Sequence, residues 1–270
     1  MAEANAYLLA GQASELERLQ LQSRVWEPAG EALLAEIAPP VAARALDVGC
    51  GMMGWLRILD RWVGADGQVV GSDVDEKMLA GAAALVAAEP LGRVTLVKDD
   101  LFRSELPPAS FDLVHARFQL APLGRAEEQL AAYRRLLRPG GTLVLEDPDM
   151  ASWRVDPPAP ATEALIALIE RGFVAAGGNF NAGRELPALL RGADMAPTIR
   201  ARIVALEPGH PYLCLPLQFA ASLRPRLEAL MPPAELAALL QEVEAELARP
   251  HAWGTTFTLI QVYASPAPPR

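Results

Sequence analysis

From residue 41 onward, short apolar runs alternate with longer stretches whose apolar positions recur every three or four residues. The first pattern predicts buried strands, the second amphipathic helices. Strands are expected at 44–48, 68–72, 94–98, 111–115 and 142–146. Helices are expected between them. One ends at Val63 and carries its apolar spacing on Trp55, Leu56, Ile58, Leu59, Trp62 and Val63; the others cover 76–88 and 125–137. The last is stopped by Arg138-Pro139-Gly140-Gly141. Strands alternating with helices predict an α/β fold with a doubly wound, mostly parallel sheet.

The flanks break this rhythm. Residues 3–38 read as two helices separated at Pro28, the second covering 30–37 and ending at Pro39-Pro40. Beyond residue 147, helices are expected at 160–177 and 184–192 and a sixth strand at 199–206. A proline-punctuated helical stretch follows at 208–249, and 255–264 is β-rich enough to be a seventh strand. The predicted organisation is one compact unit. Residues 1–40 form an N-terminal helical extension, 41–207 and 251–265 the core, and 208–250 a helical cap inserted between strands six and seven. Extension and cap are expected to arch over the carboxyl ends of the strands, where such sheets bind ligands.

The turn after strand one, Asp47-Val48-Gly49-Cys50-Gly51-Met52-Met53-Gly54, invites two readings. Glycines let the backbone bend and approach a ligand without a Cβ, and the helix that follows offers free N–H groups and a positive dipole end. Gly49, Gly51 and Gly54 match G-x-G-x-x-G, the dinucleotide fingerprint, and Asp73 stands near the distance of that fold's ribose-binding acid. Yet Asp47 sits two residues before the first glycine. A carboxylate there is unfavourable beside a pyrophosphate and suits an ammonium or sulfonium group. Acids also end three successive strands, at Asp47, Asp73 and Asp99 or Asp100, and Asp147 follows a fourth. Loop polarity explains any one of them; four on one sheet edge favour a cationic, phosphate-free ligand.

Composition narrows the classes. The 270 residues suit one large domain or a domain with a cap. A formal charge of −9 leaves no basic footprint for nucleic acid. Cys50 and Cys214 are too few for a disulfide framework and fit a reducing, cytoplasmic compartment. No signal-peptide pattern or membrane-length apolar run is read, so no membrane partner is expected. His115, His210 and His251 lack metal-ligand spacing, so no metal is expected. A homodimer is compatible with all of this.

Taken together, several stretches resemble the class I S-adenosylmethionine-dependent methyltransferases that act on small molecules and natural products. They are Leu46-Asp47-Val48-Gly49-Cys50-Gly51, Gly67-Gln68-Val69-Val70-Gly71-Ser72-Asp73 with Met78 beyond, Lys98-Asp99-Asp100-Leu101, Ser110-Phe111-Asp112-Leu113-Val114-His115, and Leu136-Leu137-Arg138-Pro139-Gly140-Gly141-Thr142. The resemblance covers roughly residues 41 to 147. It implies a Rossmann-like methyltransferase fold, S-adenosyl-L-methionine as cofactor and a small-molecule methyl acceptor as partner. It further implies that Gly49, Cys50 and Gly51 lie along the methionyl part and that Asp47 helps hold its ammonium, directly or through water. Asp73 would accept the ribose hydroxyls, and Val74 and Met78 would flank the adenine. Asp99 or Asp100 would take the adenine amino group near the Leu101 N–H, and Ala116 and Arg117 would meet the methionyl end. Two departures stand out: Met53 where relatives often place a third alternate glycine, and Leu120-Ala121-Pro122-Leu123 where relatives carry a histidine. The methyl-donor reading outweighs the dinucleotide one. A protein of this fold that binds the donor without transferring its methyl remains the second reading, and a nicotinamide oxidoreductase the third.

Methyl transfer from a sulfonium is an in-line displacement in which alignment and exclusion of water carry most of the catalysis. A general base helps only if the acceptor must lose a proton. His210, at the opening of the cap insertion, is the first candidate base, with Glu146 and Asp147 at the end of strand five as alternatives. Tyr7, Trp26, Trp153, Phe180, Tyr212 and Trp253 are candidates to line a flat acceptor pocket. Arg18 and Gln22 share a helical face, read mainly as solvated.

Overall fold

The computed structural model describes residues 13–265; Tyr7 and the first ten residues of the predicted N-terminal helix lie outside them. The chain opens with α1 (Ala13–Leu34), then β1 (Arg44–Val48), α2 (Leu56–Trp62), β2 (Gln68–Asp73), α3 (Glu76–Ala88) and β3 (Val94–Lys98). Next come β4 (Phe111–Arg117), α4 (Leu120–Leu123), α5 (Ala126–Leu136), β5 (Leu137–Asp149) and β6 (Arg154–Asp156). The remainder is α6 (Pro160–Ala175), α7 (Leu186–Gly192), β7 (Thr198–Arg202), β8 (Ala205–Leu206), α8 (Leu215–Glu228), α9 (Pro233–Leu247), β9 (Trp253–Thr255) and β10 (Thr258–Ala264).

Seven strands form the central sheet in the order β3-β2-β1-β4-β5-β10-β7. All neighbours are parallel except β10, which runs antiparallel to both β5 and β7. This far edge separates the sheet from the dinucleotide-binding order, in which the sixth strand simply follows the fifth. The period-two alternation of the strands sorts two apolar layers. Ala45, Leu113 and Val144 face α2 and the end of α1, while Leu46, Val114, Leu143 and Leu145 face α5 and α7. Fully buried Leu46 and Leu113 each contribute on the order of 2 kcal/mol.

A third apolar cluster lies above the sheet. Here α6 packs on α8 and α9, and α8 reaches α1. The small antiparallel sheet β6-β9-β8 belongs to this region. Helix α6, expected with the core, therefore packs with the inserted helices. No described helix is long and apolar enough to cross a membrane.

The structure corrects several boundaries. Pro28 does not end the first helix; α1 runs through it to Leu34. Proline removes a helical hydrogen bond, but buried Trp26, Ala29, Leu33 and Leu34 fix both halves on the body of the protein. Glu27 and Glu31 also pair with Arg57 and Arg61 of α2. The sixth and seventh predicted strands are each divided in two. Val204 donates its N–H to Thr256 Oγ1, and Thr256 returns its own N–H to the Val204 carbonyl. At that reciprocal pair both chains leave the central sheet and enter the small one. Strand β5 is longer than its apolar run, because Leu137 pairs with Phe111 at one end and Asp149 with Thr258 at the other.

Candidate functional site

Glycine geometry shapes the turn from β1 into α2. Gly51 has φ +54°, and nothing lies within 4 Å of where a Cβ would stand, so its backbone faces open space. Gly54 has φ +42°, and a Cβ there would come within 2.2 Å of Asp47 Oδ2. Gly54 thus supplies the close approach that Met53 cannot; the Met53 side chain is buried in the core.

The neighbouring strand ends converge on this turn. Asp73 closes β2 and accepts the Gly51 N–H on Oδ2 at 2.9 Å and the Asp75 N–H on Oδ1 at 2.9 Å. Half-burial pushes its carboxyl above the usual range, against the pull of those N–H groups. The Asp99 N–H bonds the Asp73 carbonyl, which brings the end of β3 alongside. Asp99 then accepts the Glu105 N–H, and Asp100 caps the short turn 101–103 through the Phe102 N–H. Beside Asp73, Val74 is 55% exposed, an unusual position for valine, while Met78 and Leu101 are nearly buried. An open glycine backbone, a half-buried carboxylate and an apolar rim match what an adenosine with two ribose hydroxyls requires. The residues fit the cofactor that the sequence implies.

Asp47 has a different place from the one expected. It is 2% exposed. Oδ2 accepts the Trp55 N–H at the start of α2, 2.7 Å away, and Oδ1 meets His115 Nδ1, also at 2.7 Å. His115 Nε2 meets Glu146 Oε2 at 3.1 Å, and Glu146 Oε1 accepts from Gln261 Nε2, which also donates to the Ala29 carbonyl of α1. The Trp55 ring stacks on the imidazole at 3.7 Å. A buried polar row thus crosses β1, β4, β5 and β10 beneath the glycine turn. Burial works against charge on His115, but the two carboxylates outweigh it and raise its pKa. Burial likewise opposes ionisation of Glu146, yet His115 holds its carboxyl below the usual range. Asp47 braces the turn from within.

The candidate bases are similarly engaged. Glu146 lies within the polar row. Asp147, also buried, accepts the Ala121 N–H at 2.9 Å and the Leu120 N–H at 3.3 Å, securing α4. Burial lifts its pKa to about 7 despite those N–H bonds. His210 Nδ1 accepts the Tyr212 N–H at 3.1 Å, capping the turn 211–214. That bond engages Nδ1 within the chain.

Trp26, Trp153, Phe180 and Tyr212 do gather under the cap, but as closed packing. Trp153 stacks with Phe180 at 6.2 Å, Trp26 tilts against Phe257 at 5.4 Å, and Trp26 Nε1 donates to the Tyr212 hydroxyl at 3.3 Å. Burial pushes that phenol up to about 12, against the opposing pull of Trp26, Arg18 and Arg117. Trp253 is 44% exposed on β9 and joins none of these ring contacts. Arg18 and Gln22, read as a solvated face, are buried and bonded to each other at 3.1 Å. A groove of about 540 Å³ between α5 and α7 contains none of the predicted site residues.

Several participants were not singled out from sequence. Ser23 of α1 donates to the Gly54 carbonyl at 3.0 Å, so α1 roofs the turn. The Gln119 amide lies over Gly49 and reaches its carbonyl. Phe118 has φ +56°, a left-handed kink directly after β4. Gln261 was visible only as a polar residue inside an apolar strand run.

Comparison with known proteins agrees with this geometry. Residues 45–141 match a methyltransferase domain family. The chain is 32% identical over 187 residues to nocamycin O-methyltransferase of Saccharothrix syringae, covering 69% of this chain and 60% of that protein. It is 37% identical over 101 residues to demethylmenaquinone methyltransferase of Geobacillus kaustophilus, covering 37% of this chain and 43% of that protein. It therefore spans about half the length of these relatives. In structure it resembles a SAM-dependent methyltransferase from Aquifex aeolicus, with a TM-score of 0.57 at 19% identity over 96% of this chain and all of the other. Strand order, glycine turn and sequence match together give this chain the fold of the S-adenosylmethionine-dependent methyltransferases, with a methyltransferase domain at residues 45–141.

Proposed function

We propose that the protein transfers a methyl group from S-adenosylmethionine to a small organic molecule, at oxygen, nitrogen or carbon, in secondary metabolism. The observation that carries this reading is the meeting of open Gly51 backbone, Asp73 and the Val74–Met78 rim at adjoining strand ends. When bound, the cofactor supplies a methyl already activated on a sulfonium. Asp73 then accepts ribose hydroxyls, Val74 and Met78 flank the adenine, and Asp99 or Asp100 takes its amino group beside the Leu101 N–H. Gly49, Cys50 and Gly51 line the methionyl chain, and the main chain of Ala116 and Arg117 receives its amino end. Asp47 acts at one remove, by fixing the turn through the Trp55 N–H.

With Glu146, Asp147 and His210 all engaged inside the chain, rate depends on alignment and exclusion of water. The relationship to nocamycin O-methyltransferase supports a natural-product acceptor. Cytoplasmic location, freedom from nucleic-acid partners and a homodimeric state belong to the same proposal; light scattering tests the last. The activity itself is tested by mass spectrometry of S-adenosylhomocysteine formed with panels of phenols, amines and organic acids. Acceptor-dependent product supports transfer. Tight donor binding with no product from any panel favours a binding protein that has lost it.

A further inference from the structure

Arg117 ends β4 with only 7% of its side chain exposed. Its Nη1 is buried and has no hydrogen-bond partner among the described residues. The nearest carboxylate oxygen, Glu146 Oε2, is 3.9 Å away, beyond hydrogen-bonding distance. That oxygen already meets His115, and its twin takes Gln261. An enclosed guanidinium with an unused donor is costly unless something else uses it.

Its surroundings indicate what that is. Arg117 pairs in register with Glu146 of β5, one position beyond the pairing of Val48 with Ala116. The guanidinium lies 5.7 Å from the Phe118 ring and acts on the Tyr212 hydroxyl of the cap region. Phe118 is held in its left-handed kink by an N–H bond of 2.7 Å to the Glu146 carbonyl, and its ring meets Phe257 edge-on. The unused Nη1 donor therefore sits at the carboxyl end of β4, between sheet and cap and among aromatic rings, and ligands of such sheets bind at the carboxyl ends of the strands.

We propose that the Arg117 side chain holds an anionic oxygen of the methyl acceptor, so that the substrates are small acids: carboxylates or ionised phenols and enols. A guanidinium is suited to paired oxygens of this kind. An acceptor whose nucleophile is already ionised has no proton to lose, which agrees with the engagement of every sequence-predicted base. The inference rests on the methyltransferase reading and extends it to substrate class.

The test uses 4-fluorobenzoate and its neutral twin 4-fluorobenzamide, observed by fluorine NMR with the protein saturated in S-adenosylhomocysteine. Wild type should bind the benzoate at least about tenfold more tightly than the amide. Arg117→Gln should lose that benzoate preference while its S-adenosylhomocysteine affinity stays within about twofold. Equal binding of the two probes, binding of neither, or a benzoate preference surviving in Arg117→Gln overturns the proposal. So does a tenfold or greater loss of S-adenosylhomocysteine affinity, which would assign the guanidinium to the donor's own carboxylate. If Arg117→Gln fails to fold, Arg117→Lys keeps the charge and loses the fork; weaker benzoate binding with unchanged S-adenosylhomocysteine affinity is then the supporting result. Failure of wild type to bind S-adenosylhomocysteine is a separate outcome that removes the methyltransferase reading and this inference with it.

Discussion

Replacing Asp147 with asparagine measures the cost of one buried carboxylate. In the folded protein burial raises its pKa to about 7, whereas an unfolded chain releases that proton near 4. Between those values the folded state holds a proton that the unfolded state has lost. Stability therefore falls as pH rises from about 4 to 7 and levels off on either side. Three pKa units correspond to about 4 kcal/mol, of which roughly 1–2 has already been incurred at pH 5. Asparagine does not titrate, and its carbonyl can still accept the Ala121 N–H that Asp147 holds at 2.9 Å. The stability of Asp147→Asn relative to wild type should therefore improve by about 3 kcal/mol between pH 5 and pH 8. Urea unfolding of both proteins at four pH values measures the difference, and the other titrating groups cancel. A change below about 1 kcal/mol would mean that Asp147 titrates as an exposed acid. Its capping role would then be wrong, and its candidacy as a base would reopen.

His115→Leu should cost roughly 3–5 kcal/mol near neutral pH, because it strands two buried carboxylates. In calorimetry that is a fall of about 10 °C. The His115 pKa is raised on folding, so its contribution is complete below the ordinary histidine value and fades as pH climbs through the folded one. The deficit should shrink in alkali, and a deficit that grows would contradict the charged assignment. Gly54→Ala should destabilise the fold by about 2 kcal/mol or more through the clash with Asp47. Gly51→Ala should cost only about 1 kcal/mol, the left-handed penalty, yet impair S-adenosylhomocysteine binding; the reverse order of stabilities would refute the turn geometry. Cys214, exposed, should react with a thiol reagent in the native protein. Cys50 should not, since burial, reinforced by the Asp47 and Asp73 charges, pushes its thiol far up.

The core of the fold was readable because its strands are short apolar runs bounded by strong punctuation. The 76–88 helix and the 94–98 strand appear with the predicted limits. Pro28 misled because local breaking strength was weighed without the tertiary burial of Trp26 and Leu33. The division of the last two sheet strands was hidden because Thr256 and Val204 signal a crossing only when paired. At the site, acids at the strand ends suggested a cationic, phosphate-free ligand, but sequence could not show which carboxylates point outward, and Asp47 and Asp147 are both buried. Asp73 and Asp47 end neighbouring strands with similar local sequence. One stays half-exposed beside Gly51, while the other is drawn inward by His115 and the Trp55 N–H. Such long-range pairing leaves no local mark.

The account stands most directly on Asp73. Calorimetric titration of S-adenosylhomocysteine and of NAD into wild type and Asp73→Ala compares the two ligand classes and the residue at once. Wild type should bind S-adenosylhomocysteine and not NAD, and Asp73→Ala should weaken binding by about 10- to 100-fold, the worth of hydrogen bonds to a charged acceptor. A preference for NAD, or an Asp73→Ala protein that binds S-adenosylhomocysteine as wild type does, would contradict it.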